Sequence, residues 1–459
     1  MDDNEMTAEP YKIKMIEHLK VTSREEREQF IREAGYNVFN LRSDDVYLDF
    51  LTDSGTSAMS EQQWAGMMLG DESYAGSRNF YHLESVVKEY YGYNYVVPTH
   101  QGRGAEHIIA RMLIRPGTYI PGNMYFTTTR AHQELAGGTF ADIIIDEAHQ
   151  PSLSYPFKGN VDLQKLRDLI ARVGAANIPY VSIATTVNMA GGQPISLGNL
   201  KQVRELTQQH GIKIIHDMAR VAENAYMIQQ YEPGYSDKPV AAIVREICAL
   251  TDGATMSGKK DALVNIGGFL ALNDLALYEE AINLVVLYEG LHTYGGMAGR
   301  DMEAMAIGIT ESVNEKHISA RIKQVQYLGK KLLDGGVPIV LPVGTHGVYI
   351  DATAFLPHLS QLEFPAQALT IALYKEGGIR SMERGIVSAG RDQNTGEHIF
   401  PKMELVRMAI PRRVYTNLHI SLAAEIAIKV YENRNNISGL KMVYEPKYLR
   451  FFQARFEPL

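Results

Sequence analysis

The chain of 459 residues carries 45 Lys+Arg against 53 Asp+Glu, a formal net charge of −8, with 45% hydrophobic and 21% charged residues. That composition belongs to a globular protein of two or three domains with a large core, and its acidity argues against nucleic acid as the main partner. The single cysteine, Cys248, excludes an intramolecular disulfide and a cysteine-built zinc site, and no apolar run reaches the roughly 18 residues that would span a membrane. The first residues, MDDNEMTAEPYKIKM, hold no apolar core of a secretory signal, so a cytoplasmic enzyme is expected.

Up to about Asn40 the chain is charged and irregular and reads as an arm. From Tyr95 onward short apolar runs alternate with helical periodicity. Tyr95 to Val97, Ala141 to Ile145, Tyr180 to Ile183, Ile212 to Ile215 and Gly267 to Leu272 read as buried strands. Leu200, Val203 and Leu206 mark a helix between two of them, stopped at His210-Gly211. Such alternation predicts an α/β domain with a mostly parallel sheet. A second region opens near Ser319 with the helical positions Ile322, Val325, Leu328 and Leu332, ended by Gly335-Gly336. Strand candidates follow at Ile339-Val340, Val348 to Ile350 and Leu405 to Ile410, with helices over Ala366 to Lys375 and Leu422 to Asn433. The expected organisation is an arm and the start of a small domain over 1–50, a large domain over 51–315, and a small α+β domain over 316–459.

Three features carry chemistry. Thr99-His100-Gln101-Gly102-Arg103-Gly104-Ala105 follows a strand and opens a helix, where backbone N–H groups and the helix dipole favour an anion; the same pattern also fits a plain turn. Asp217 follows the apolar strand Ile212 to Ile215, where α/β sheets place ligands, and a helix cap is the other reading. Met256-Ser257-Gly258-Lys259-Lys260 sets two lysines among small and apolar residues. Paired lysines are usually a solvated surface, but an amine beside a second ammonium and an apolar wall is more readily neutral and nucleophilic.

Together, an anion cradle, an acid for a pyridinium nitrogen and a Schiff-base lysine are the three handles of pyridoxal 5′-phosphate (PLP). Their order resembles the aspartate aminotransferase-like, fold type I PLP enzymes, which implies a large domain with a mostly parallel seven-stranded sheet and a small α+β domain. Leu51-Thr-Asp-Ser-Gly-Thr56, Gly70-Asp-Glu-Ser-Tyr-Ala-Gly76, Pro98-Thr-His-Gln-Gly-Arg-Gly-Ala-Glu106, Ala190-Gly-Gly-Gln-Pro194, Glu223-Asn-Ala-Tyr226 and Tyr444-Glu-Pro-Lys447 narrow the resemblance to the β-eliminating lyases. Ser381-Met-Glu-Arg-Gly385 is similar to the branch of that family that cleaves tyrosine.

The resemblance implies β-elimination of L-tyrosine to phenol, pyruvate and ammonium. Lys260 is then the Schiff-base lysine and Cα base, Tyr74 a general acid reaching in from a neighbouring subunit, and Asp217 the partner of the pyridine nitrogen. Arg384 and Thr127 contact the phenolic oxygen. Gln101, Gly102, Arg103, Ser257 and Lys259 surround the phosphate, Phe126 stacks on the ring, Asn188 meets its hydroxyl, and Arg220 lies beside Asp217. Arg407 holds the substrate carboxylate, with Thr52, Ser54, Phe39, Met382, Leu291, Phe451 and Phe452 lining the substrate side. Gly55, Glu72 and Asn265 match positions for a monovalent cation, K⁺ or NH₄⁺, and the family is a homotetramer with active sites shared between subunits.

Leu291 and His292 stand where the family carries Met and Pro, and Ala219 where Thr is common, departures that bear on substrate scope. An enzyme acting on tryptophan or a modified tyrosine, and a PLP-binding protein without turnover, are the alternatives.

Overall fold

The continuous apolar runs become the central sheet of the computed structural model, which describes residues 9–392 and 395–459. Seven strands form it: β1 (Tyr95–Thr99), β2 (Tyr119–Gly122), β3 (Thr139–Asp142), β4 (Tyr180–Ala184), β5 (Lys213–Asp217), β6 (Gly253–Ser257) and β7 (Gly268–Leu272), in the order β1-β7-β6-β5-β4-β2-β3. Only β7 runs antiparallel to its neighbours. Strands covered on both faces need apolar residues at successive positions, which is why β7 is buried throughout. The helix Leu197–Gln209 starts at Ser196, whose side chain accepts the N–H of Asn199, and buries Leu200, Val203 and Leu206 on one face.

Register decides what meets at the sheet's edge. Ala184, Asp217 and Thr255 lie abreast across β4, β5 and β6, so the carboxylate of Asp217 sits at the carboxyl end of a central strand. Antiparallel β7 begins where β1 and β6 end, and Gly268 lies opposite both Thr99 and Ser257. The Gln101-Gly102 turn and the Ser257 segment are thereby brought to the two sides of one glycine.

The chain divides into two units. The large unit takes Ser54–Ala148 and Pro156–Ser319; the small unit takes the described residues up to Asp53 together with His149–Tyr155 and Ala320–Leu459. The excursion His149–Tyr155 leaves no mark in the hydrophobic pattern. In the small unit, β8 (Gly347–Asp351), β9 (Met382–Arg384) and β10 (Leu405–Ala409) form an antiparallel sheet in the order β9-β10-β8. Its core joins Val348, Ile350, Val406 and Met408 to Leu369 and Leu373 of the helix Pro365–Gly377 and to Ile420 and Ala423 of the helix Asn417–Glu432.

Three sequence expectations are corrected. The arm is not irregular: Arg24–Glu33 is a helix begun by a Ser23/Glu26 capping box, and Leu48-Asp49 pairs in parallel with Ile379-Arg380. The strand expected over Ala141 to Ile145 is β3, which begins at Thr139 and already ends at Asp142, with Ile144 in an isolated bridge to Val161. Ile339-Val340 contributes only a bridge from Ile339 to Ile350. Among the described residues no helix is long and apolar enough to cross a membrane.

Candidate active site

In the large unit the sheet edge gathers cations at the Gly102 turn and a buried carboxylate, flanked by both signs of charge, at Asp217. Gln101 is the N-cap of the helix Gly102–Leu113 and supplies no side-chain cap. A Cβ on Gly102 would lie 2.8 Å from Cβ of Ser257, so only glycine lets the turn close on that segment. Lys259 Nζ donates to Gln101 Oε1 at 3.4 Å, and burial, then the nearby charge of Arg103, holds its ammonium below the usual lysine range. Two neighbouring cations at an uncapped helix N-terminus form a site that an anion stabilises.

Lys260 Nζ donates to Ser257 Oγ at 2.9 Å. The following residue, Asp261, is buried and accepts the N–H of Ala222 at 2.8 Å, tying the lysine loop to the helix Val221–Tyr231. Asp217 accepts the N–H of Ala219 at 3.1 Å. Burial first, and then the charge of Glu106, raise its carboxyl above the usual range, while Lys260, the Ala219 N–H and Arg220 oppose that rise. A cation brought against Asp217 would reverse the shift. The site is therefore bipolar, with positive charge gathered at the Gly102 turn and a buried carboxylate offered by Asp217. A phosphate joined to a pyridinium has the matching polarity, and Lys260 offers the amine, so these residues fit PLP.

Asn188 opens a short 3₁₀ turn after β4 and is buried. Phe126 is the N-cap residue of the helix Thr127–Leu135, and Thr127 is its buried first residue. Arg220, also buried, precedes the helix Val221–Tyr231. Glu106 acts on Asp217, and His216 directly precedes it. Glu106 is buried and accepts from Thr129 Oγ1 at 2.7 Å. His216, pushed down to about 3 by burial, pairs its Nε2 with Thr185 Oγ1 at 2.7 Å. Sequence reading gave neither a role, since an isolated Glu on a helix and a His inside a strand carry no periodic signal.

The small unit assembles the second group. Met382 on β9 lies directly opposite Arg407 on β10, and Arg384 is two residues further along β9, so all three belong to one face of the sheet. Arg407 is buried, and its Nη2 donates to the Leu51 carbonyl at 2.7 Å and lies 3.1 Å from Met382 Sδ. The buried Arg384 guanidinium lies 5.7 Å from the centre of the Phe451 ring. Phe39 packs edge-on against Phe451 at 5.6 Å and Phe452 at 5.0 Å. Thr52 precedes the buried Asp53, which accepts from Arg412 at 3.0 Å.

The remaining expected residues belong to the large unit, where Ser54 is its first residue. Asn265 donates to the carbonyls of Gly55 and Ser57, both at 3.0 Å, so Gly55 and Asn265 are together. Glu72 instead accepts the N–H of Gly299 at the start of the helix Gly299–Ser312. Tyr74 is 75% exposed, with its ring 5.5 Å from that of Tyr294, and a hydrogen bond with Tyr294 raises its phenol. Leu291 accepts the N–H groups of Tyr294 and Gly295 at its carbonyl, in the turn that leads to Tyr294.

Fold and charge pattern together define a fold type I PLP enzyme. Solved structures agree on the fold: an aromatic aminotransferase from Pyrococcus horikoshii superposes with a TM-score of 0.62 at 12% identity over 90% of this chain and 100% of its own. A threonine aldolase from Leishmania major gives 0.59 at 14% identity over 84% of this chain and 99% of its own. The chain belongs to the beta-eliminating lyase family, whose model matches residues 49–426. It is 68% identical over 450 residues to the tyrosine phenol-lyase of Nostoc punctiforme, covering 98% of this chain and 96% of that one. Its identity to the tyrosine phenol-lyases of Symbiobacterium thermophilum and Pasteurella multocida is 62% and 60%, over 98% of this chain and at least 98% of each of theirs.

Proposed function

We propose that the protein cleaves L-tyrosine with one water to phenol, pyruvate and ammonium, and in reverse makes tyrosine from them. The observation that carries this reading is the placement of Arg384 two residues from Met382 and on the sheet face of Arg407, beside Phe451. One arginine suits an α-carboxylate, and a second suits an oxyanion at the far end of an aromatic side chain. High identity to tyrosine phenol-lyases supports the same substrate.

PLP, when bound, supplies the Schiff-base linkage and the electron sink for the pair released at Cα. The cofactor is held by Gln101, Gly102, Arg103, Ser257 and Lys259 at its phosphate, with Phe126, Asn188, Asp217 and Arg220 about the ring. Arg407 fixes the substrate carboxylate and so orients the Cα–H bond, and Thr52, Ser54 and Leu291 are assigned to the substrate as well. The Lys260 amine takes that proton. Phenol leaves only after its ring carbon at Cβ is protonated, which is the task of Tyr74, while Arg384 and Thr127 stabilise charge on the phenolic oxygen. Phe39, Met382, Phe451 and Phe452 enclose the aromatic ring.

A monovalent cation, K⁺ or NH₄⁺, is held through oxygens of Gly55, Glu72 and Asn265. The working form is a cytoplasmic homotetramer, its assembly supported by the exposed apolar residues Trp64, Met68 and Leu69 in the stretch of chain before Tyr74. Phenol, indole and pyruvate release from tyrosine and from tryptophan tests the reading. Phenol and pyruvate from tyrosine are expected; indole without phenol, or no pyruvate from either amino acid, overturns it.

A further inference from the structure

The residues that hold Arg384 in place lie outside every role assigned above. Arg384 is followed by the turn Gly385–Ser388, and four successive N–H groups of that turn end on two buried carboxylates. Glu383 on β9 accepts from Gly385 at 2.7 Å, Val387 at 3.0 Å and Ser388 at 2.9 Å, and also from Ser388 Oγ at 2.6 Å. Glu404, the residue before β10, accepts from Ile386 at 2.8 Å and from Gln361 Nε2 at 3.2 Å, all on Oε1. Its Oε2 is buried with no hydrogen-bond partner and lies against Gly385, where a Cβ would approach to 1.9 Å.

The carbonyl side of the same turn is held as firmly. Arg450 Nε donates to the Val387 carbonyl at 3.0 Å and its Nη2 to the Ile386 carbonyl. Arg450 directly precedes Phe451 and Phe452, so one short turn joins the arginine to the aromatic pair. Both sides of the phenol-contacting group hang on it.

We propose that Glu404 is a positioning residue for phenol recognition: with Glu383 it clamps the Gly385–Ser388 turn and thereby fixes Arg384 against the substrate's oxygen. This rests on the tyrosine reading above. The clamp carries one proton, on Glu404. Glu383 has four donors that stabilise its charged form, whereas Glu404 Oε2 has none, and a bare buried oxyanion beside a second carboxylate is costly. Burial first and then Glu383 push Glu404 up to about 8. The charged groups that act on it are Glu383, itself beside Arg384 on β9, and Arg450, whose Nη1 is engaged by Glu445 at 2.8 Å and His398 at 3.0 Å. Above pH 8 a second negative charge enters beside Glu383, and the clamp loosens.

The experiment compares holoenzymes of wild type, Glu404→Gln and Glu404→Ala on L-tyrosine and on S-methyl-L-cysteine, whose thiolate leaves without any phenol contact. Glu404→Ala is expected to lower kcat/KM for tyrosine by about 100-fold, the scale of an angstrom of misplacement, and that for S-methylcysteine less than about threefold. Glu404→Gln, neutral at every pH, should rescue tyrosine cleavage at pH 7. The ratio of wild type to Glu404→Gln on tyrosine should fall on the order of tenfold between pH 7 and 9.5, which cancels titration of the substrate itself. Equal loss on both substrates in Glu404→Ala, or a wild-type-to-Gln ratio flat with pH, overturns the proposal. Should Glu404→Ala fail to fold, the Gln ratio decides alone. A wild-type enzyme that releases no phenol from tyrosine overturns the functional reading and this one with it; phenol release with either adverse result overturns this one only.

Discussion

Arg384 and Arg407 are both buried arginines on neighbouring strands, and the proposed function gives them different work. Arg407 is anchored to the Leu51 carbonyl and to Met382, which leaves its planar fork fixed for a carboxylate that every amino acid substrate carries. Arg384 lies over the Phe451 ring, among aromatic groups that only an aromatic substrate needs. Substitution should separate them. Arg384→Ala is expected to retain PLP and S-alkylcysteine elimination while losing tyrosine cleavage by about 1,000-fold, since an oxyanion contact made in the transition state is removed. Arg407→Lys should instead raise KM for both substrates by about 100-fold, because a lysine cannot offer the bidentate fork. Kinetics on the two substrates checks both; equal loss on both substrates in Arg384→Ala would make that arginine structural.

The sheet's strands carry their own pH dependence through His216. In the folded protein it is pushed down to about 3 by burial within β5, against an ordinary value near 6.5. Below pH 6.5 the unfolded chain takes up a proton that the folded chain refuses. The stabilisation is therefore complete above pH 6.5 and lost as pH falls toward 3, amounting to about 3 kcal/mol by pH 4. His132, pushed down to about 4 mainly by burial, adds a smaller, partly screened loss in the same window. His216→Gln, which keeps a polar group near Thr185, should flatten the fall of Tm between pH 6.5 and 4; melting curves of the two proteins that fall in parallel would refute it. The same strands show what sequence reveals. Tyr180 to Ile183 and Gly267 to Leu272 were legible because burial on both faces writes an unbroken apolar run. β2 was not, being four residues long with Pro121 and Gly122 inside it. The helix Arg24–Glu33 buries only Ile31, so its charged faces masked it, although Ser23 and Glu26 spelled a capping box. Asp217 was singled out by its place after an apolar strand, and Lys260 by its place among small and apolar residues ahead of another apolar run. That Met382, Arg384 and Arg407 share a face depends on the β9–β10 register, and Glu383 and Glu404 meet through the same pairing, which no local pattern encodes.

At the scale of the molecule, Tyr74 sets the requirement. Under the proposed function Tyr74 is the general acid for a ring carbon and must work out of bulk water, yet it is 75% exposed, in a stretch where Met68 is 86% and Leu69 71% exposed. In the proposed homotetramer another copy of the chain covers that apolar surface, and a closed symmetric pair gives each site the other's Tyr74. Complementation tests this directly. Tyr74→Phe and Lys260→Ala should each abolish tyrosine cleavage when assayed alone. Unfolded together and refolded as a mixture, they form hybrids in which one site carries both substitutions and the other carries neither. With equal amounts and random pairing, half of the pairs are hybrids and one of two sites in each is intact, so about a quarter of wild-type activity should return. If Tyr74 instead served the site of its own chain, every site in every hybrid would hold one substitution, and refolding the mixture would return no activity.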